Sequence, residues 1–84
     1  MKNEIKSNLI KLEQLEEIAN HAEADYEREP ENAEYEATFD RAYDNQFAMF
    51  MIVSNQIAEF AGIDAKTARA IVRGKREELK KILA

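Results

Sequence analysis

Glycine and proline are so scarce in this sequence that the chain has few places to turn. Gly62, Gly74 and Pro30 are the only such residues among 84, and alanine, glutamate, lysine and leucine are abundant. Proline suits the first turn of a helix and disfavours helix in the residue before it, while glycine suits the left-handed position after a helix end. The composition therefore favours long helices, separated by turns near Pro30 and Gly62.

These turns predict an all-α fold in one domain, 1–84. The apolar residues of the first helix recur at intervals of three and four, as a core-facing stripe requires. The stripe of the second helix keeps its phase from Tyr35 to Ala61, which indicates one continuous rod. Gly74 points away from the apolar face of the third helix, so we expect that helix to continue through it, at a cost of about 1 kcal/mol. The sequence thus predicts two long antiparallel helices and a shorter C-terminal helix after the glycine turn, at about 2–28, 31–61 and 64–83.

Catalysis, cofactors and metals find no support in the sequence. There is no cysteine, and the single histidine, His21, has only carboxylates one turn away on its helix. Ser7 and Ser54 have no neighbouring base in a recognisable arrangement, and no glycine-rich phosphate loop is present. We therefore predict a protein that is not an enzyme and binds no cofactor or metal.

The sequence also bears on location and on assembly. The longest apolar run, Phe47 to Val53, is far shorter than the ~20 residues that span a bilayer, and the N-terminal stretch does not resemble a signal peptide. We therefore expect a cytoplasmic protein. A chain of 84 residues has a thin core, and without cysteine its remaining means of reinforcement is oligomerisation.

The second helix is apolar on nearly every side between Phe47 and Val53. Such a helix is covered on more than one side. The neighbouring helices provide that cover in one interpretation, and a second copy or an unidentified protein partner provides it in the other. Methionine-rich surface adapts readily to partners. We expect a homodimer, for which the candidate interface residues are Phe47, Met49, Phe50, Met51 and Ile52.

Charge is divided unevenly along the chain. Residues 1–55 hold five basic and 13 acidic side chains, a net charge of −8, whereas residues 56–84 hold seven basic and four acidic side chains, a net charge of +3. On a helical wheel the basic residues form a ridge beside the apolar face of the third helix. This ridge is either a surface for nucleic-acid phosphates or a solvated face that pairs loosely with acidic helices. Its members are Lys66, Arg69, Arg73, Arg76 and Lys80.

Residues 57–74, with the sequence IAEFAGIDAKTARAIVRG, carry a recognisable motif. Ala58 is small enough for two helices to cross closely, and Gly62 supplies the turn between them. This stretch resembles the helix-turn-helix of the lac repressor family of bacterial regulators. The resemblance implies that the helix after the turn faces the DNA major groove or its phosphates. Together with the basic ridge, the candidate DNA-binding residues are Lys66, Thr67, Arg69, Arg73, Arg76 and Lys80.

Two functions therefore stay open. The first is a small helical interaction or oligomerisation protein, similar in size and composition to the short acidic helical proteins of bacteriophages and mobile elements. The second is a DNA-binding transcriptional regulator. A second helix unbroken to residue 61 and a third unbroken from 64 to 83 would favour the first function. Breaks near Ser54 and at Arg73–Gly74 would favour the second.

Overall fold

A computed structural model describes residues 1–84 as four α-helices without strands. The molecule is elongated, with extents of 45 × 20 × 18 Å. The predicted all-α class is confirmed. In chain order the helices are α1 (Lys2–Arg28), α2 (Ala33–Ala61), α3 (Ala65–Gly74) and α4 (Arg76–Ile82).

The count of three helices was wrong, because the expected helix 64–83 is divided at Lys75. The backbone of Lys75 has φ −133° and ψ 55°, outside the helical region, and it follows directly on Gly74. Glycine weakens a helix interior, so the chain bends there at low cost. The bend turns Leu79 and Leu83 inward, and both are buried in the same core as α3. Burial of these two side chains outweighs the lost helical continuity.

The turns on either side of α2 are set by local chemistry. The Asn32 side chain accepts hydrogen bonds from the backbone N–H groups of Glu34 (3.0 Å) and Tyr35 (3.3 Å), so α2 begins at Ala33. An N-cap of this kind satisfies backbone donors that have no partner within the helix. After α2, Gly62 adopts the left-handed conformation with φ 66°. The predicted glycine turn is therefore present.

α1 and α2 form a long antiparallel hairpin. The Asn8 side-chain amide donates to the Gln56 side-chain oxygen at 3.1 Å, and the rings of Tyr26 and Phe39 stack at 5.6 Å between centroids. The residue numbers of these two pairs add up to 64 and 65, so the helices keep one register over their whole contact. α3 then packs back on α2, and the Glu16–Arg76 ion pair joins α4 to α1.

The core divides the molecule into two halves, which we call the head and the arm. The head comprises residues 1–12 and 48–84. It encloses a cluster of 11 buried apolar side chains from all four helices. The arm comprises residues 13–47, the part of the hairpin that α3 and α4 leave uncovered except at its base, where Glu16 pairs with Arg76. Its own buried cluster contains only three alanines, with Phe39 packed beside them: Ala19, Ala22 and Ala42.

Candidate interaction surfaces

The arm and the head carry opposite charge. The arm contains twelve acidic and two basic residues, a net charge of −10, and the head contains five acidic and ten basic residues, a net charge of +5. These values add to the −5 of the whole chain. The predicted division of charge is thus sharper along the folded molecule than along the sequence, because the basic N-terminal turns of α1 lie in the head. Such a distribution orients an approaching charged partner.

An aromatic strip runs along α2 from the arm to the head and consists of Phe39, Tyr43, Phe47 and Phe50. Neighbouring rings lie 6.3 Å apart for Phe39 and Tyr43, and again 6.3 Å apart for Phe47 and Phe50. Tyr43 and Phe47 are 55% and 51% exposed, respectively. The spacing of four, four and three residues keeps the strip on one face of the helix.

The strip ends in a shallow cleft of about 160 Å³ where the arm meets the head. The guanidinium carbon of Arg73 lies 5.3 Å from the centroid of the Phe50 ring, close enough for a cation–π contact. Because Arg73 belongs to α3 and lines this cleft together with Tyr43 and Phe47, these two rings lie on the face of the hairpin that α3 covers in the head. The cleft is lined by Glu16, Tyr43, Gln46, Phe47, Phe50 and Arg73.

The five candidate interface residues occupy different environments. Phe47 and Ile52 are exposed, and helical spacing places them on different sides of α2. Met49 and Met51 are partly buried against the head core, and Phe50 is a member of that core. The structure therefore leaves Phe47, next to Tyr43, as the centre of the exposed apolar surface on the α3 side.

The six candidate DNA-binding residues do not form one continuous ridge. Lys66 and Thr67 are exposed on the outer side of α3, and Arg69 is half-buried beside them. Arg73 lies over Phe50, as described above, and the bend at Lys75 separates α4 from the ridge. On α4, Arg76 turns toward α1, and Lys80 lies in the open, 3.5 Å from Glu77.

Arg76 joins three helices. Its Nη2 donates to both carboxylate oxygens of Glu16 on α1, at 3.1 and 2.8 Å, and its Nε donates to the backbone oxygen of Val72 at 2.6 Å. The guanidinium therefore holds the start of α4 against the end of α3 and the middle of α1. Lysine carries all its donors on one nitrogen, so it lacks the two separate donor nitrogens, Nε and Nη2, that this arrangement uses.

We predict that Arg76 and Glu16 are energetically coupled. In a double-mutant cycle with Arg76→Ala and Glu16→Ala, the coupling in the free energy of unfolding should be about 1 kcal/mol, because the pair is partly shielded from water. The exposed pair Lys80–Glu77 is the matched control, with an expected coupling below about 0.3 kcal/mol. Urea denaturation measures both, and equal coupling in the two cycles would contradict the role given to Arg76.

Asp64 caps the N-terminus of α3. Its side chain accepts a hydrogen bond from the backbone N–H of Thr67 at 3.3 Å. Hydrogen bonding by Thr67 lowers the pKa of Asp64, and the positive charge of Arg69 acts in the same direction. A carboxylate at a helix N-terminus is also favoured by the helix dipole. The outer face of α3 therefore begins with a fixed negative charge.

Ser54 is a buried position that the sequence did not identify as such. It is completely buried in the head, yet its Oγ has no hydrogen-bond partner. The signal in the sequence was a serine directly after Val53 and three residues before Ile57, inside an apolar stripe. A buried hydroxyl without a partner costs about 1–3 kcal/mol.

We predict that Ser54→Ala stabilises the protein. Removal of the unpaired hydroxyl should raise the free energy of unfolding by about 1 kcal/mol, which corresponds to a rise in Tm of about 4–8 °C. Ser7→Ala on the exposed side of α1 is the control, because it gives the same gain in helix propensity without the change in burial. Thermal unfolding is monitored by circular dichroism. Equal shifts in Tm for the two variants would contradict the predicted stabilisation by Ser54→Ala.

Comparison with known proteins adds no relative. No protein-family model, curated protein or solved structure matches this chain. No group of three or more histidine, cysteine, aspartate or glutamate side chains is arranged to hold a metal ion. None of the four helices is both long and apolar enough to cross a membrane.

Proposed function

We propose that this chain is a non-enzymatic interaction protein that associates with a second copy of itself through the aromatic strip of α2. The observation that carries this proposal is the exposure of Tyr43 and Phe47 on an arm whose own core is three alanines. Alanine side chains bury little apolar area, and helix pairs derive most of their stability from packing. A covering partner would bury the two rings and reinforce the arm at once.

The proposal is tested by measuring molar mass against concentration. With light scattering after size-exclusion chromatography, the wild-type mass should rise from monomer to dimer between about 1 and 200 µM, as mass action requires. Phe47→Ser should shift this transition to at least about tenfold higher concentration, since a central aromatic anchor contributes 2 kcal/mol or more to binding.

Ile10→Ser is the matched control for this experiment. Ile10 is as exposed as Phe47 but lies on α1, away from the aromatic strip. Its replacement should leave the transition unchanged within about twofold. A wild-type protein that stays monomeric over the whole range would contradict self-association. A loss of the dimer in both variants would show that exposed apolar area in general, rather than the strip, drives assembly.

DNA binding is the second candidate function, and the break at Lys75 favours it. The end of α2, the Gly62 turn, α3 and α4 together have the order of a helix-turn-helix unit with a third helix. The unbroken course of α2 through Ser54 and Asn55 favours the interaction protein instead. Of the two breaks expected for a DNA-binding unit, the one near Ser54 is absent and the one after Gly74 is present. The helix boundaries therefore do not favour one function over the other.

A titration of labelled mixed-sequence duplex DNA tests this second function. Fluorescence anisotropy at about 50 and 200 mM salt should show binding that weakens steeply with salt if Lys66 and Arg69 contact phosphates. Lys66→Glu/Arg69→Glu should abolish it. These two residues are better targets than Arg73, which has a contact within the chain. Absence of binding at the lower salt would exclude this function.

A further inference from the structure

We infer that two copies of this chain pair side by side in opposite directions about a twofold axis, with the acidic arm of each against the basic head of the other. This inference rests on the self-association proposed above and specifies its geometry. In this arrangement the aromatic strips of the two copies meet at the centre, and the outer face of each α3 lies over the arm of the other copy.

The shape of the hairpin allows this pairing. α3 packs on one face of α2 in the head, and the same face is open in the arm, where Tyr43 and Phe47 are exposed. Arg73, near the end of α3, contacts Phe50, and Phe47, one turn away, is the central residue of Ala33–Ala61. The step between the covered and open halves therefore lies at the middle of the hairpin. A twofold axis at Phe47 therefore places the head of each copy, where α3 stands above the hairpin, against the arm of the other copy, where that face is uncovered.

Charge selects the antiparallel pairing over the parallel one. Parallel copies would set two arms of net charge −10 against each other and two heads of +5 against each other. Antiparallel copies set each arm against a head of opposite sign, twice over. Like charges brought together across an interface oppose association, whereas complementary potentials speed association and fix the register.

Individual charges fall into register across the axis. At 1.5 Å per residue, Asp40 lies about 10 Å from Phe47 along α2 toward the tip of the arm. In the other direction, Phe50 lies about 4.5 Å from Phe47 along α2 and contacts Arg73 of α3. Arg69 is one turn before Arg73, nearer the Gly62 turn and so farther from Phe47. It therefore lies about 10 Å from the axis.

The next turn of each helix repeats this match. Glu36 lies about 16 Å from Phe47 on the arm side, and Lys66 lies about 15 Å away on the head side. Glu36, Asp40 and Lys66 are exposed, and Arg69 is half-buried. The twofold axis therefore brings Arg69 near the partner's Asp40, and Lys66 near the partner's Glu36.

The long face of the molecule is large enough to carry an interface of ordinary size. It spans 45 by 20 Å, a projected outline of about 900 Å² on each copy. Specific interfaces bury about 800 Å² per partner. The arms alone would offer about half of the face, which is the size of a weak contact. Pairing over the full length is therefore the arrangement that combines sufficient area with charge complementarity.

The experiment uses two charge-reversed variants of the full chain. Glu36→Lys/Asp40→Lys changes the arm, and Lys66→Glu/Arg69→Glu changes the head. Each variant alone should dimerise at least about tenfold more weakly than wild type, because both contacts of its homodimer are repulsive. An equimolar mixture should form heterodimers with an affinity within about threefold of wild type, since every contact in the heterodimer again joins opposite charges. Circular dichroism checks that both variants remain helical.

The control is Glu4→Lys/Glu59→Lys, which makes the same change in net charge as the arm variant. Both positions are exposed in the head. Each lies one helical turn from the Asn8–Gln56 pair, and Gln56, nine residues from Phe47, is on the side of α2 opposite the aromatic strip. This variant should dimerise as well as wild type. The arm variant lowers the net negative charge of the chain, so net repulsion alone would strengthen its dimer. A weakened dimer in that variant therefore reports a specific contact.

The outcomes distinguish this inference from the proposed function. A dimer that survives both charge reversals and about 500 mM salt, yet is lost in Phe47→Ser, keeps self-association and overturns the head-to-arm arrangement. Weakened homodimers without recovery in the mixture also overturn it. A chain that is monomeric at all concentrations and salts overturns both. Recovery in the mixture, together with an unaffected control, supports the arrangement.

Discussion

Replacing Ile57 by alanine is expected to destabilise the protein by about 3 kcal/mol, because the change leaves a cavity in the only large core of the molecule. Ile57 is completely buried in the head, in one cluster with residues from all four helices. Small domains have a total stability of roughly 5–15 kcal/mol, so the loss is a large fraction of what holds the chain folded. Urea denaturation at fixed protein concentration measures the effect.

Ile52→Ala is the matched control for this substitution. It makes the same chemical change on the same helix, five residues away, at a side chain that is 45% exposed. The expected loss is below about 1 kcal/mol, since little apolar area returns to water and no cavity forms. Equal losses for the two variants would mean that the head core does not enclose Ile57 as described, and that α3 and α4 do not close over α2.

Local chemistry accounts for the parts of the fold that the sequence predicted. The ends of α1 and α2 depend on Pro30, Asn32 and Gly62, whose backbone and capping preferences act within a few residues. Two boundaries differ: α2 begins at Ala33 rather than at about 31, and the predicted helix 64–83 is broken at Lys75. The break at Lys75, the larger departure, depends on where Leu79 and Leu83 are buried. Their core is built by α1 and α2, far away in sequence, and helix propensity does not contain this information.

The sequence predicted the candidate surfaces only in part, because it does not show which helices cover one another. The apolar periodicity identified one side of α2 but not what covers it. Tyr43 and Phe50 both belong to that periodic stripe, although Phe50 is buried and Tyr43 is exposed. The predicted basic ridge assumed one straight helix over residues 64–83. The bend at Lys75 takes Arg76 out of that ridge and brings it to Glu16 on α1.

The arm is governed by a different constraint, namely how closely its two helices approach. Ala42→Leu is expected to destabilise the protein by about 2 kcal/mol, because Ala19, Ala22 and Ala42 are buried together and leave no room for a branched side chain. Small residues at such a seam let two backbones come close, and a larger one forces them apart. The free energy of unfolding from urea denaturation gives the magnitude.

Ala37→Leu separates overpacking from other effects of leucine. Ala37 is exposed on the same helix of the arm, and leucine is nearly as good a helix former as alanine, so a change within about 0.5 kcal/mol is expected. If Ala42→Leu were neutral or stabilising, the seam would have space for a larger core, and the arm would not need a partner for its stability. A loss confined to Ala42 would mean that the arm cannot thicken its own core. Additional apolar burial would then have to come from its flanks, where Tyr43 and Phe47 are exposed.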